Sequence, residues 1–274
     1  MSTFIIKIIS MVTMFGDHLS KAIYGINGTT FLNYIGRFAF ILFCFQLVLG
    51  YKKTRSLRKY LLRLIVLAII SQIPYSLFFN NFNCEKSLNI VFTLLTGLIS
   101  ISILNIHRDK NNKFTFRDIN YNAFKIESFK SIIGLIFKLI IIFSICLFVS
   151  YSTVLFGYWF EYNYQGVIFI ITMYLFYPFD NKYNFSKFIL YIISIILFGF
   201  VEAEQWFGIQ NYELPKFYNM DAFKIYINIY ISCIIGGFLP LLYNGKKGKS
   251  IKLMTYLFYP IHFLILYIIY IFIN

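Results

Sequence analysis

The stretch FLNYIGRFAFILFCFQLVLGY, residues 31–51, decides the fold class of this chain. It carries a single charged side chain, Arg37, and an apolar run of this length can cross about 30 Å of hydrocarbon as an α-helix. The 274-residue chain as a whole has the same character, with 59% hydrophobic and 13% charged residues. A water-soluble domain has about 25% charged residues. The composition therefore predicts an integral membrane protein of the all-α class.

Eight further windows are similarly apolar, so we predict a polytopic membrane helical bundle of about nine transmembrane helices, in one domain over residues 1–274. No Ala-x-Ala-like cleavage site follows the first window, which is therefore expected to stay in the mature protein. The sixth window is short and the first contains Lys7. The nine windows are 4–20, 31–51, 60–79, 89–106, 131–155, 165–179, 187–206, 223–243 and 253–273.

The distribution of charge predicts the orientation of the bundle. The formal net charge is +14, and most Lys and Arg lie in the N-terminal segment and the even-numbered loops, such as YKKTRSLRKYLLR at residues 51–63. The positive-inside rule then predicts a cytoplasmic N-terminus and an external C-terminus. Cations clustered in short loops are typical of topology signals and of contacts with anionic lipid. We therefore expect the lipid bilayer as a partner and no nucleic acid.

The remaining composition bears on metals and on localisation. The four cysteines are far apart and show no Cys/His ligand spacing, which predicts neither a disulfide framework nor a metal site. The abundance of Ile, Phe, Tyr, Asn and Lys suggests an AT-rich, bacterial genome. We therefore expect a multi-pass protein of the bacterial plasma (inner) membrane.

Polar residues from at least five predicted helices fall in one layer in the outer half of the bundle. At about 1.5 Å per residue, His18 lies roughly 20 Å from the cytoplasmic face, which is level with Arg37. Ionisable groups inside a membrane usually face the bundle interior and mark a functional site. The other members of the layer, with His262 closer to mid-membrane, are Asp17, Gln72, Tyr75, Asn89, Thr93 and Glu202.

Several of these residues also have a plainer structural interpretation. Asp17 and His18 are an ordinary helix end if the first helix stops at residue 16. Arg37 can snorkel to the outer surface, Glu202 can be a solvated loop residue, and His262 can be a satisfied core histidine. Their coincidence at one level is what favours a functional site.

Six segments, taken in order, resemble the TraX family of membrane proteins, which is named for the enzyme that acetylates the N-terminus of conjugative pilin. The resemblance covers nearly the whole chain. Where the family is expected to read GRLAFPIF, this chain has Ile41 in place of the proline, which puts a kink of the second helix in doubt. The segments are IKIISMVTMFGDH (6–18), IGRFAFILFCFQLVLGY (35–51), KYLLRLIVLAIISQIPYSL (59–77), NIVFTLLTGL (89–98), YNGKKG (243–248) and YLFYPIHFLIL (256–266).

The resemblance implies an enzyme, because the family is similar to a wider set of transmembrane acyltransferases. The implied reaction moves an acetyl group from cytoplasmic acetyl-CoA to an amine or hydroxyl acceptor on the far side, such as a peptide N-terminus or a surface glycan. It implies acetyl-CoA as the acyl donor and no metal. Cations of the inner loops would bind the CoA phosphates, and Arg58, Lys59 and Arg63 approach the third helix in a way that could present several donors. The implied set is Arg58, Lys59, Arg63, Lys246 and Lys247.

Under this implied mechanism His18 is the general base, since histidine transfers protons near neutral pH. Asp17 points about 100° away from His18 on a helix, so it pairs with Arg37 or anchors the acceptor. Arg37 orients His18 or stabilises the oxyanion, and His262 is a partner of His18 or positions the thioester. The residues expected to bind the acceptor are Gln72, Tyr75, Asn89, Thr93 and Glu202.

Two other classes of function use the same residues. In a small transporter or an immunity factor, the polar layer would bind a substrate or a proton. A third class is an assembly factor for a cell-surface polymer. The sequence shows no internal repeat, which argues mildly against a transporter, since many transporter folds are built from duplicated halves.

Overall fold

The computed structural model of the chain describes residues 1–25, 30–80, 86–108, 114–115, 129–178, 185–209 and 220–273. Over these residues the chain forms ten α-helices, four two-residue strands and a 3-10 turn at Leu239–Leu242. The helices are α1 (Thr3–Tyr24), α2 (Phe31–Lys53), α3 (Leu57–Asn80), α4 (Ile90–Leu104), α5 (Phe129–Ser150), α6 (Ser152–Phe156), α7 (Asn163–Phe176), α8 (Phe185–Ile209), α9 (Met220–Phe238) and α10 (Lys252–Ile273).

The prediction of an all-α polytopic bundle is confirmed. Within the described residues, six helices are long and apolar enough to cross a membrane, namely α2, α3, α5, α8, α9 and α10. Two shorter helices, α4 and α7, are also apolar. Each of the nine windows predicted from the sequence overlaps one of the longer helices, and the fifth window also includes the short α6.

The first two helices have well-defined starts and no interior break. Ser2 begins α1, because its hydroxyl accepts a hydrogen bond from the backbone N–H of Ile5. From there α1 runs through Asp17 and His18 to Tyr24, so the interpretation in which this helix stops at residue 16 is wrong. Helix α2 is continuous across Ile41, which is fully buried.

Eight helices pack side by side into a closed ring. In order around the ring, each contacting the next, they are α1, α10, α3, α4, α7, α8, α9 and α2, and α2 returns to α1. Helix α2 also contacts α4 and α7 and is the most buried of the candidate spans. Helix α5 packs against the outside of α4 and α7 and leaves most of its surface for lipid.

One end of the bundle, which we name the basic face, is formed by residues 1–7, 52–63 and 243–252. The backbone N–H of Thr3 donates to the carbonyl of Lys246 (2.9 Å), and Lys53 donates to the hydroxyl of Tyr243 (2.7 Å). These contacts place the N-terminus beside the α2–α3 and α9–α10 loops. The prediction that this end is cytoplasmic remains a prediction.

A pair of two-residue strands joins the N-terminal ends of α4 and α7. Strand β1 (Ser87–Leu88) pairs in parallel with β4 (Trp159–Phe160), and β2 (His107–Arg108) pairs with β3 (Phe114–Thr115) elsewhere. The first pairing continues into Glu161, whose N–H donates to the carbonyl of Leu88 (3.2 Å). Glu161 is thereby fixed at the start of α4, next to the residues described below.

Candidate active site

Two buried histidines on different helices form the centre of the site. Nδ1 of His18 on α1 lies 3.0 Å from Nε2 of His262 on α10. The two rings are nearly parallel, and their centroids are 5.2 Å apart. Nδ1 of His262 in turn lies 3.0 Å from the backbone carbonyl oxygen of Phe258. The exposed fractions of the two histidines are 5% and 1%. The sequence predicted both residues, and the structure brings them into direct contact.

This chain of contacts assigns the hydrogens on both rings. A carbonyl oxygen only accepts, so Nδ1 of His262 carries a hydrogen, and Nε2 of a neutral ring is then an acceptor. Nδ1 of His18 must therefore be the donor in the contact between the rings. The remaining nitrogen, Nε2 of His18, has a free lone pair, as a general base requires. The tautomers follow from the hydrogen-bond network.

Asp17 accepts hydrogen bonds from two neighbours and does not hydrogen-bond to His18. Its Oδ2 accepts from Lys21 at 2.6 Å and its Oδ1 from the side-chain amide of Asn33 at 3.1 Å. Nε2 of His18 lies 3.8 Å from Oδ2, beyond hydrogen-bonding distance but close enough for the carboxylate to stabilise a positive charge on the ring. Asp17 therefore provides a fixed negative charge beside the histidine pair.

Arg37 is engaged mainly by Glu202. Its Nη1 donates to Oε1 of Glu202 at 2.6 Å, whereas Nη2 is 3.9 Å from Oδ1 of Asp17. Arg37 and Glu202 have exposed side-chain fractions of only 8% and 7%, so a snorkelling Arg37 and a solvated Glu202 are both wrong. Buried charges are tolerated when they are paired in this way.

A close crossing of α1 and α2 brings these charges together. Gly36 is buried against Asp17, and a β-carbon at position 36 would lie 2.4 Å from the Cβ of Asp17. The glycine therefore lets the two backbones approach closely. One turn earlier on α2, Asn33 joins the helices because its Oδ1 accepts from the hydroxyls of Ser20 and Thr30.

A small cavity, which we name the inner cavity, adjoins this cluster. Its volume is about 20 Å³, close to the size of one water molecule. Tyr162 in its wall stacks on Phe40 at 3.8 Å and has a left-handed backbone (φ 60°), which is uncommon for a residue other than glycine. The lining residues are Met14, Asp17, His18, Gly36, Ala39, Phe40, Ile90, Glu161, Tyr162 and Tyr259.

A much larger cavity, which we name the large cavity, extends from the basic face towards the inner cavity. Its volume is about 520 Å³, and α1, α2, α3, α4 and α10 all contribute to its wall. Its middle section is largely apolar, with residues such as Leu64, Leu67, Val91 and Leu94. Six cations stand around its wall at the basic face, namely Lys7, Lys53, Arg63, Lys247, Lys249 and Lys252.

The two cavities meet at three shared residues. Met14, Ile90 and Tyr259 line both of them, and each is at least 93% buried. A molecule that enters from the basic face therefore approaches His18 from the far side of these three side chains.

The predicted phosphate ligands divide into two groups. Arg63 and Lys247 line the large cavity, and Arg63 lies over the ring of Tyr60. Arg58, Lys59 and Lys246 are exposed and do not line it. Rotation about the axis of α3 accounts for Arg58, which is five residues before Arg63 and therefore points about 140° away from it.

Four of the predicted acceptor-binding residues hydrogen-bond to other parts of the chain and line neither cavity. Gln72 accepts from the side-chain amide of Asn89 at 2.9 Å, and Asn89 also caps α4. The hydroxyl of Tyr75 is 2.9 Å from that of Ser87, and the hydroxyl of Thr93 donates to the carbonyl of Glu161. The first two contacts fasten α3 to the start of α4, and the third fastens α4 to Glu161 before α7.

Sequence reasoning missed several residues of the site. Lys21 lies one turn after Asp17, and Tyr259 lies one turn before His262, so helical spacing was a usable signal for both. Glu161 gave no such signal, because the parallel pairing of β1 with β4 brings it to the site from outside the helices. The cations Lys7, Lys53, Lys249 and Lys252 were visible only as topology signals.

Comparisons with known proteins agree on one family. The model of the family described as TraX protein matches residues 2–270. The chain is also similar to the "Probable fimbrial assembly protein FimC, serogroup H1" of Dichelobacter nodosus, with 25% identity over 275 residues that cover 97% of this chain and 94% of the relative. No solved structure matches the chain.

Proposed function

Since the chain belongs to the TraX family, we propose that it is a membrane-embedded acyltransferase of the bacterial inner membrane. It moves an acetyl group from cytoplasmic acetyl-CoA to an amine or hydroxyl acceptor on the other side of the bilayer. One observation carries the proposal. The large cavity runs from the basic face to the residues that it shares with the inner cavity at His18.

The two ends of the large cavity suit the two ends of acetyl-CoA. Its cations match the phosphates of CoA, because Lys and Arg donate charge-assisted hydrogen bonds to phosphate oxygens. Its apolar middle suits the thin pantetheine arm. A thioester carried along this path reaches the histidine pair while the phosphates stay at the membrane surface.

The orientation of the histidine pair suits a general base. As the nitrogen or oxygen of the acceptor bonds to the thioester carbon, its proton passes to the free lone pair on Nε2 of His18. The positive ring is stabilised by the carboxylate of Asp17, 3.8 Å away. When the carbon–sulfur bond breaks, the CoA thiolate takes the proton from His18, so acetylated acceptor and free CoA leave and the enzyme is unchanged.

The relative named for fimbrial assembly supports an exported protein as the acceptor. Its name describes a role in the assembly of fimbriae. An acceptor of this kind would reach the inner cavity from the side opposite to the basic face, where Asp17, Glu161 and Tyr162 lie. A surface glycan is the other acceptor that the proposed reaction admits.

The proposal is tested with purified, detergent-solubilised protein and radiolabelled acetyl-CoA. We expect saturable binding of acetyl-CoA, and hydrolysis or transfer of the label to a panel of amines and sugars. His18→Ala should abolish turnover and keep binding. Ser194→Ala is the matched control, because Ser194 is buried on α8, bonds only within its own helix and lines neither cavity.

Two results would overturn the proposal. Full turnover in His18→Ala would remove His18 as the base. A folded wild-type protein that neither binds nor turns over acetyl-CoA would exclude the acyltransferase, and the buried polar cluster would then be the binding site of a transporter.

A further inference from the structure

The hydroxyl of Tyr259 is a buried hydrogen-bond donor without an acceptor. Tyr259 has an exposed fraction of 5%; the backbone N–H of Ile90 faces its hydroxyl oxygen, and the hydroxyl hydrogen meets no acceptor among the residues that the structure describes. Buried tyrosine hydroxyls usually find a partner, because burial strips them of water. Phenylalanine would fill the same space without this penalty. The hydroxyl therefore points to a ligand that supplies the missing acceptor.

The position of Tyr259 indicates which ligand atom that is. Tyr259 lines both the large cavity and the inner cavity, so its side chain borders the passage between the basic face and His18. It lies one turn before His262 on α10, and its ring packs edge-on against Phe263 at 5.4 Å. The ring is thus held in place while the hydroxyl hydrogen stays without an acceptor.

We propose that Tyr259 is a further catalytic residue, whose hydroxyl donates a hydrogen bond to the carbonyl oxygen of the bound thioester and stabilises the negative charge that forms there. This inference rests on the proposed acyl transfer. Nucleophilic attack moves the carbonyl π electrons onto that oxygen, and the oxyanion then re-forms the carbonyl as the carbon–sulfur bond breaks. Tyr259 keeps its proton throughout, and the proton of the acceptor travels by way of Nε2 of His18 to the departing thiolate.

Other residues of the site are less suited to this role. Arg37, which the sequence offered as an oxyanion donor, is bound to Glu202 and does not line the inner cavity. Tyr162 lines only the inner cavity, on the side away from the large cavity. Lys21 is committed to Asp17 at 2.6 Å. Among the tyrosines of the described residues, Tyr259 lines both the large cavity and the inner cavity that holds His18.

The test removes the hydroxyl and keeps the ring. In Tyr259→Phe, we expect kcat to fall about 100- to 1000-fold, as for loss of one oxyanion donor, with KM for acetyl-CoA changed less than about threefold. The melting temperature should change little, because the hydroxyl hydrogen has no acceptor to lose and only the contact with the N–H of Ile90 is removed. The matched control is Tyr191→Phe, whose lost hydroxyl donates to the carbonyl of Gly237 at 2.7 Å. It should melt at a lower temperature and keep its kcat.

A binding measurement tests the same hydrogen bond without turnover. The ketone analogue of acetyl-CoA, with a methylene in place of sulfur, keeps the carbonyl oxygen, whereas S-ethyl-CoA lacks it. Wild-type protein should bind the ketone about tenfold more tightly than S-ethyl-CoA, and Tyr259→Phe should bind the two equally.

The outcomes separate the two proposals. If wild-type protein does not turn over acetyl-CoA, the proposed function fails and the role of Tyr259 fails with it. If the wild type is active and Tyr259→Phe keeps its kcat within about threefold, or keeps the tenfold preference for the ketone, only the role of Tyr259 is overturned. A fall in kcat with loss of that preference supports the proposal.

Discussion

At the scale of single residues, the reactivity of His18 is set by a backbone atom on another helix. The carbonyl of Phe258 fixes the hydrogen on His262, and His262 fixes the hydrogen on His18. A histidine acts as a base only through a free nitrogen, so this relay decides whether Nε2 is available. The relay gives His262 a positioning role without requiring it to touch the substrate.

Removing the acceptor atom at position 262 should therefore weaken the base. We expect His262→Phe to lower kcat about 100-fold, because Nδ1 of His18 loses its partner and the ring can adopt the wrong tautomer. In His262→Gln, the amide oxygen can accept from Nδ1, so kcat should stay within about tenfold of wild type. Equal losses in both variants, measured with labelled acetyl-CoA, would contradict the relay.

Glu161 should make the stability of the protein depend on pH. Burial raises the pKa of this carboxyl to about 7, and Asp17 and Glu202 act in the same direction against Lys21 and Arg37. Between about pH 4.5 and 7 the folded protein holds a proton that the unfolded chain has released, so stability falls as the pH rises through this range.

The measurement is the melting temperature in detergent from about pH 5 to 8, compared between wild type and Glu161→Gln. The amide cannot ionise, so the melting temperature of the variant should fall less than that of the wild type as the pH rises. At about pH 8 the variant should therefore melt at the higher temperature. Parallel curves for the two proteins would show that Glu161 does not titrate in this range.

The sequence identified the histidine pair and its surroundings, and it failed where contacts depend on rotation about a helix axis. Depth along a helix follows from residue number, so His18 and Arg37 could be placed at one level. The partner of Arg37 could not be predicted, because Glu202 lies on α8, 165 residues further along the chain, and depth in the membrane does not tell which helices are neighbours. Gln72 and Asn89 have the right depth but bond to each other.

At the scale of helices, the crossing of α1 and α2 at Gly36 determines the position of Asp17. Overpacking of a tight contact costs about 1–3 kcal/mol. We expect Gly36→Ala to lower the melting temperature and acetyl transfer together, because a β-carbon there would displace Asp17.

Gly134→Ala is the matched control for this prediction. Gly134 is also helical, and a β-carbon there would meet no atom within 4 Å. Alanine in an open helical position gains about 0.5–1 kcal/mol, so this variant should melt slightly higher. A Gly36→Ala protein as stable and active as Gly134→Ala would show that α1 and α2 do not need their close approach.

The hydrophobic windows predicted the helices well, because an apolar helix can be recognised from contiguous sequence alone. The first window, 4–20, already ran past residue 16, but hydrophobicity alone could not exclude a helix end there, since a buried Asp–His pair resembles one until its partners on α2 and α10 are known. The windows also merged α5 with α6. Gly157 ends α6 in a left-handed conformation, and the chain then turns into β4.

At the scale of the whole molecule, the proposed binding of the acetyl-CoA donor depends on the basic face and the large cavity together. Lys249 and Lys252 line the cavity, whereas Arg58 and Lys59, which the sequence favoured, do not. We expect Lys249→Ala with Lys252→Ala to raise KM for acetyl-CoA roughly tenfold at unchanged kcat, through lost phosphate contacts.

The matched control is the double variant Arg58→Ala with Lys59→Ala, which removes the same charge from the same face. Its KM for acetyl-CoA should stay within about twofold of the wild-type value. High salt should reduce the difference in KM for acetyl-CoA between the two double variants, because salt screens exposed charges. Equal effects of the two pairs would mean that the face binds CoA through its overall charge and not through the cavity.

The two histidines of the site are made at very different times, because a ribosome builds the chain from its N-terminal side. His18 leaves the ribosome 244 residues before His262. Until α10 inserts, His18 lacks the partner that frees its Nε2, and the large cavity lacks one wall. In the proposed reaction, a chain without α10 therefore has neither an oriented base nor a complete donor cavity, and we expect it to leave acetyl-CoA intact. Insertion of α10 closes the ring of helices and completes both features together.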